Sequence, residues 1–174
     1  MMNGGSPVLR KMKKSRPKVY LASPLGFSES GRLFYYEKLI PMVVKSGFEV
    51  LDPWVLTAQE VIQPAVLLPY GPKRKSAWQK INKIIGRNNV EAIRKSNLII
   101  AVLDGVDVDS GTASEIGYGA ALDKPVIGYR GDFRLSTDND GAMINLQVEY
   151  FIRLNGGTIV TNLKELESIL KSYF

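Results

Sequence analysis

The chain has 174 residues, 45% of them apolar and 23% charged, and it contains no cysteine and no histidine. That length suits about one domain with its own core, and the missing residue types exclude disulfides, thiolate nucleophiles, Cys- or His-ligated zinc and a Ser-His-Asp triad. The net charge of +6 is concentrated at the start: Arg10, Lys11, Lys13, Lys14, Arg16 and Lys18 occur with no acid among them, and subtracting these six leaves 17 basic against 17 acidic residues.

Residues 1–17 combine Gly, Ser, Pro and basic side chains with little apolar content, which predicts a flexible basic arm ahead of a folded domain over 18–174. The arm lacks the apolar core of a secretory signal. The apolar runs, such as residues 98–103, fall far short of the ~20 residues a membrane span needs. A cytoplasmic, non-membrane protein is the expectation.

Lys18–Ser23 is β-prone and ends at Pro24 and Gly26. Ser28–Ser46 has apolar residues near helical spacing, a bend expected at Pro41 and a stop at Gly47. Phe48–Asp52 reads as a short strand. Four prolines between 53 and 76 predict a long loop with one short helix near Thr57–Val61. Ala77–Lys95 reads as a basic helix with Ile81, Ile84, Ile85, Val90 and Ile93 available for its inner face. The run Asn97–Leu103 is continuously apolar after its first residue, as a strand buried on both faces requires. Then follow a helix over Ser110–Leu122, a strand over Pro125–Tyr129, a polar loop, a short segment over 142–153, a strand over Gly157–Val160, and a helix over Leu163–Tyr173 capped by Asn162. Strands alternate with helices, which predicts an α/β, doubly wound (Rossmann/flavodoxin-like) parallel sheet of about five strands in a single domain. Ligands bind beyond the carboxyl ends of such strands. One cleft is therefore expected to collect residues 23–26, 103–105 and 130–132.

The stretch 104–120 carries Asp104, Asp107, Asp109 and Glu115. If a helix starts at Ser110 or Gly111, Glu115 lies about one turn in and Asp109 at the cap, and both can face the cleft. The helix N-terminus helps keep them ionised, and an ionised carboxylate is a competent nucleophile toward an anomeric carbon. The same spacing also fits an ordinary cap at Asp109 with Glu115 solvated, or a Mg²⁺ site from Asp104, Asp107 and Asp109. Neither GxxxxGK[ST] nor GxGxxG is present, so nucleoside triphosphate and dinucleotide binding have no motif support. A second basic run, Lys73, Arg74, Lys75, Lys80, Lys83 and Arg87, lies between Glu60 and Glu91 with no acid inside it. The neutral body and the lack of an aromatic–basic recognition motif argue against nucleic acid as the partner.

The stretch Asp109-Ser-Gly-Thr-Ala-Ser-Glu-Ile-Gly-Tyr-Gly-Ala-Ala-Leu-Asp-Lys-Pro125 resembles the D-x-G-T-x-x-E-x-G-x-A…K-P signature of the nucleoside 2-deoxyribosyltransferase family. Tyr20-Leu-Ala-Ser-Pro is similar to that family's first strand and turn, and Ile144-Asn-Leu-Gln147 to its Asn-Leu-Met segment. Arg87–Ile93 occupies the place of its helix before the third strand. The resemblance implies that Glu115 attacks C1′ of a 2′-deoxynucleoside and forms a covalent deoxyribosyl-enzyme. A second nucleobase then attacks, with net retention. It implies that Tyr20 holds Glu115 by a hydrogen bond, that Asp109 binds sugar hydroxyls, and that Ser23, Pro24, Gly26 and Phe27 line the base side. Asn145 and Gln147 would reach the sugar's 5′ end from a neighbouring subunit, which implies a homo-oligomer. Deoxynucleosides and nucleobases would be the small-molecule partners, with no cofactor and no metal. Some members have a base-contacting Asp where this chain has Asn89, which hydrogen-bonds but cannot donate a proton to the leaving group. The alternative within the superfamily is an N-glycosidase that uses water on nucleosides or deoxynucleoside 5′-monophosphates. Asp109 would repel a phosphate, which favours free nucleosides. A non-catalytic nucleoside- or nucleotide-binding module on the same fold is a further alternative.

Overall fold

The computed structural model describes residues 15–135 and 137–174. Most of the expected basic arm, residues 1–14, lies outside the described residues; Pro17 is already tied to the sheet through its carbonyl, which accepts from the Glu49 amide at 2.9 Å.

Five parallel strands, β1 (Lys18–Ala22), β2 (Glu49–Leu51), β3 (Leu98–Val102), β4 (Val126–Tyr129) and β5 (Thr158–Val160), form one sheet in the order β2-β1-β3-β4-β5. All five residues of β3 are buried, as a central strand covered by helices on both faces demands. The register pairs Tyr20 with Ile99 and Ala22 with Ala101. With a side-chain period of two, Val19, Leu21, Leu98, Ile100 and Val102 enter one core layer while Tyr20, Ala22, Ile99, Ala101 and Leu103 enter the other.

The first layer is covered by α1 (Glu29–Phe34), α2 (Ile40–Lys45) and, at the far end of the chain, α7 (Leu163–Lys171). The expected helix over Ser28–Ser46 is present, and Ser28 caps it by accepting from the Gly31 amide at 3.0 Å. Its bend precedes Pro41: Tyr35–Leu39 forms a π-helical turn between α1 and α2. Pro41 has no N–H for the Glu37 carbonyl and its ring crowds that position, and the wider turn absorbs the misfit. Gly47 takes φ 98° just after the helix end, the left-handed conformation that favours glycine there.

The second layer consists of α4 (Pro72–Lys95), α5 (Ser110–Ala120) and α6 (Leu146–Leu154). A Cβ on Gly119 would come within 2.0 Å of Ile99 Cδ1, so glycine is what lets α5 lie close on β3. The segment 142–153 resolves as α6, capped by the Asn145 side chain.

Two expectations fail. The long loop over 53–76 is mostly helical: α3 spans Gln59–Val66 and α4 starts at Pro72, a turn and a half before Ala77. Proline costs no hydrogen bond at the first helical position, and Pro64 is on the exposed side of α3, where water can satisfy the freed carbonyl. In α4 the inner face uses Ile81, Ala92 and Ile93, while Ile84 is exposed.

Among the described residues no helix is long and apolar enough to cross a membrane.

Candidate active site

A cleft of about 500 Å³ opens at the carboxyl ends of β1 and β3. This is where the strand order reverses direction, the position at which such sheets hold ligands. Its floor is Glu115, one turn into α5. The Tyr20 hydroxyl donates to Glu115 Oε1 at 2.6 Å, and Asn89 Nδ2 from α4 donates to the same oxygen at 3.4 Å. Glu115 Oε2 receives no hydrogen bond from any described residue and is left to the cleft. Tyr20 is fully buried because strand alternation aims it at the α5 layer, where its hydroxyl meets the Glu115 carboxylate.

Burial raises the Glu115 pKa above the ordinary carboxyl range; the hydrogen bond from Tyr20 opposes this, the charge of Asp109 adds to it, and Asn89 opposes it again. Burial likewise pushes the Tyr20 phenol well above its usual value, reinforced by the Glu115 charge. Tyr20 therefore keeps its proton at neutral pH and donates a hydrogen bond to Glu115.

Asp109 is both cap and wall. Its side chain accepts from the Thr112 amide at 3.0 Å and from the Thr112 hydroxyl at 3.4 Å, and it lines the cleft beside Gly111 and Thr112. A Cβ on Gly111 would sit 3.0 Å from Asp109 Oδ2, so its bare backbone leaves that carboxylate room. Asp104 accepts from the Asp132 amide and Asp107 from the Val108 amide; both shape loops. Among the described residues no group of three or more acidic side chains is arranged to hold a metal ion.

Ser23 and Phe27 also line the cleft. Ser23 Oγ accepts from the Leu25 amide at 3.1 Å. Phe27 is 74% exposed, at the rim instead of in the core, with its ring edge-to-face with Trp54 at 4.8 Å. Pro24 and Gly26 do not line the cleft. Gly26 acts through its neighbour, since a Cβ there would fall 2.2 Å from the Trp54 ring.

Two groups of predicted residues are not brought to this cleft. Asn145 spends its side-chain oxygen on the amides of Gln147 and Val148, at 3.1 and 3.2 Å, and Gln147 is exposed at the start of α6. The end of β4 also fails to join. Asp104, Tyr129 and Gly131 line a separate depression of about 330 Å³ with Leu25, Ser28 and Phe34, and Arg130 is buried with its guanidinium donating to the Leu103 carbonyl at 2.7 Å. The sheet twists as it crosses from β1 to β4, so the strand ends diverge and one cleft does not collect them all.

The rest of the wall comes partly from the stretch expected to be loop and partly from the expected basic helix. Trp54 stands after β2, held by its amide to Asp52 Oδ1 at 3.0 Å; buried Asp52 also accepts from the hydroxyls of Tyr35 at 2.9 Å and Tyr36 at 3.2 Å. Ile62 comes from α3, and Trp78, Asn82, Ile85 and Asn89 from α4. Those four occupy i, i+4, i+7 and i+11, one helical stripe. That spacing is present in the sequence, and two asparagines sharing a stripe with a tryptophan mark a ligand-facing side better than a core-facing one.

A doubly wound α/β domain with a half-buried glutamate, anchored on one oxygen at the switch point of its sheet, has the form of a small-molecule site. The family model described as nucleoside 2-deoxyribosyltransferase matches residues 19–147, and the chain belongs to that family. Similar solved structures include a conserved protein from Enterococcus faecalis V583, at 24% identity and TM-score 0.68, covering 92% of this chain and 100% of that one. A 2-deoxyribosyltransferase from Leishmania mexicana matches at 21% and 0.58, covering 90% and 98%. A 2-deoxyribosyltransferase from Bacillus psychrosaccharolyticus matches at 21% and 0.57, covering 88% and 95%. At these identities the likeness establishes the shared fold. No curated protein matches the chain.

Proposed function

We propose that this protein transfers 2-deoxyribose between nucleobases through Glu115. The observation that carries the reading is the Glu115 carboxylate on the floor of an aromatic-walled cleft, held by Tyr20 on one oxygen with the other left free.

Glu115 Oε2 attacks C1′ of a 2′-deoxynucleoside, the C1′–N bond breaks, and its electron pair leaves with the base, which takes up a proton. A ring nitrogen of a second base then attacks C1′, the ester bond to Glu115 breaks, and the incoming base loses its proton. Two inversions give retention. Tyr20 keeps donating to Oε1 throughout, which fixes the carboxylate plane while Oε2 changes bonding. Asp109 accepts from sugar hydroxyls, and Phe27, Trp54 and Trp78 enclose the base. Asn145 and Gln147, which do not reach the cleft of their own chain, complete the site of a neighbouring subunit in a homo-oligomer.

Hydrolysis of the same intermediate is the second reading. Both readings share the first half-reaction, in which Asn89 holds Glu115 but cannot protonate the departing base; they differ only in whether a base or water takes the sugar. Incubation with deoxyinosine, with and without free adenine, separates the two. Deoxyadenosine formed only with adenine supports transfer, and hypoxanthine released without an acceptor supports hydrolysis. Absence of both products across purine and pyrimidine deoxynucleosides overturns the catalytic reading in favour of a binding module.

A further inference from the structure

The basic run along α4 has no part in the chemistry above. Among the described residues none of Lys73, Arg74, Lys75, Lys80, Lys83 and Arg87 forms an ion pair; the pairs present are Lys18–Glu49, Arg94–Glu91, Arg134–Asp132, Arg153–Glu149 and Lys171–Glu167. Two of the six line a second depression, about 670 Å³, which meets the cleft at Trp78 and Asn82 and continues past Tyr70, Arg74, Lys75 and Gln79. Arg74 is held in place there. Its guanidinium donates to the carbonyls of Val66 at 2.9 Å and Leu68 at 2.7 Å and lies over the Tyr70 ring at 4.5 Å. Lys75 is exposed.

The helix sets the scale. Asn89, whose amide reaches Glu115, and Lys75 lie fourteen residues apart on α4, which is about 21 Å along the axis at 1.5 Å per residue. Side chains on one helix lean the same way, so their tips keep roughly that separation. A purine bonded to a carbon at Glu115 covers less than half of it. Cleft and depression share Trp78 and Asn82 as lining and together extend along α4 for more than the length of a nucleoside, with aromatic and amide side chains midway and two cations at the far end. A phosphate on the sugar does not explain those cations, because Asp109 and the sugar position belong to the opposite end.

We propose that the depression is an anion subsite for the base-side end of the ligand, so that the favoured substrates or acceptors are nucleobases bearing a carboxylate-terminated arm on the edge remote from the sugar. This rests on the placement of the sugar at Glu115 given above. The arm crosses Trp78, its amide or ether groups meet Asn82 and Gln79, and its carboxylate reaches Arg74 and Lys75.

The test is calorimetric titration of the full-length protein with adenine carrying a carboxypentyl arm on its exocyclic amine, and with the same compound ending in a carboxamide. Uracil with these arms at C5 replaces them where the transfer assay shows only pyrimidines accepted. The acid is expected to bind about fivefold more tightly than the amide at low salt, the worth of a partly exposed ion pair. High salt should erase most of the difference. Lys75→Glu, an exposed substitution away from the cleft lining, should reverse it while the unsubstituted base binds as before. Equal affinities for acid and amide, or a preference that survives Lys75→Glu, overturn the subsite. So does failure of both armed compounds to bind while the plain base is still transferred. A single-stranded deoxyoligonucleotide that outcompetes the acid, with the steep salt dependence of several phosphate contacts, overturns it in favour of a nucleic-acid track. Absence of any transfer or base release overturns the catalytic reading as well.

Discussion

The floor of the cleft and its outer wall are built on different principles. The floor joins Tyr20 from β1 to Glu115 at the start of α5, ninety-five residues later in the chain, through a 2.6 Å hydrogen bond. Both sit on elements whose positions follow from strand pairing and core packing. The wall is Trp54 in a turn, α3 and the outer half of α4, held by a few polar ties such as Asn88 Nδ2 to Thr57 Oγ1 at 2.9 Å and Trp54 to Asp52 at 3.0 Å. On the proposed reading the difference separates chemistry from selectivity: a floor fixed by core packing positions reacting atoms, and a wall with fewer constraints can be resized for a base without moving Glu115.

The sharpest way to break that division is at Glu115. Glu115→Ala should lower transfer or base release by about three orders of magnitude or more; near-normal turnover in a steady-state assay would sink the nucleophile assignment. Tyr20→Phe should lower kcat by about ten- to a hundredfold, the worth of one hydrogen bond to a charged group. Because that hydrogen bond holds the Glu115 pKa down, its loss should move the low-pH limb of the kcat/KM profile to higher pH. A slower enzyme with an unmoved limb would mean that Tyr20 acts only as packing. At the wall, Trp78→Ala should raise KM for the base by about tenfold, in line with a lost stacking surface, with kcat changed less than KM. A fall in kcat alone would erase the distinction between floor and wall.

The smallest effect is on stability. Burial raises the folded-state pKa of Glu115, so the fold favours the protonated carboxyl. The stability this group contributes is full below its unfolded-state pKa and is lost as pH rises through the raised folded-state value. Glu115→Gln keeps a neutral acceptor for Tyr20 at every pH. Its Tm should therefore exceed that of the parent by a few degrees at pH 7, and the gap should close as the pH falls below the carboxyl range. A gap that is constant with pH would show that the charge of Glu115 is not what strains the site.

Much of the floor is legible in the amino-acid sequence. The spacing from Asp109 to Glu115 across Gly111 allows a cap and a cleft-facing acid on one helix start, the family resemblance of 109–125 singles out Glu115 among the alternatives, and the strand that carries Tyr20 follows from its β-prone run. The wall is not legible in the same way. The prolines at 64 and 72 read as loop markers, yet each is tolerated for a reason that local composition does not reveal: one stands on a solvent-facing side and the other at a first helical turn. Asn145 shows the same limit. Its place before a helix is indistinct in sequence, and its side chain is committed to capping α6.

By itself, the sequence determined the alternation of strands and helices, the central position of the apolar run in β3, and the carboxylates available in a chain without histidine or cysteine, because periodicity, propensity and side-chain chemistry are local properties. Only the tertiary structure decided that Tyr20 and Asn89 grip the same oxygen of Glu115, that the end of β4 turns away from the cleft, and that Trp54 and Trp78 wall it. Those outcomes depend on strand register, sheet twist and the packing of α4 against α5, which bring together groups far apart in the chain, and no short window of residues encodes them.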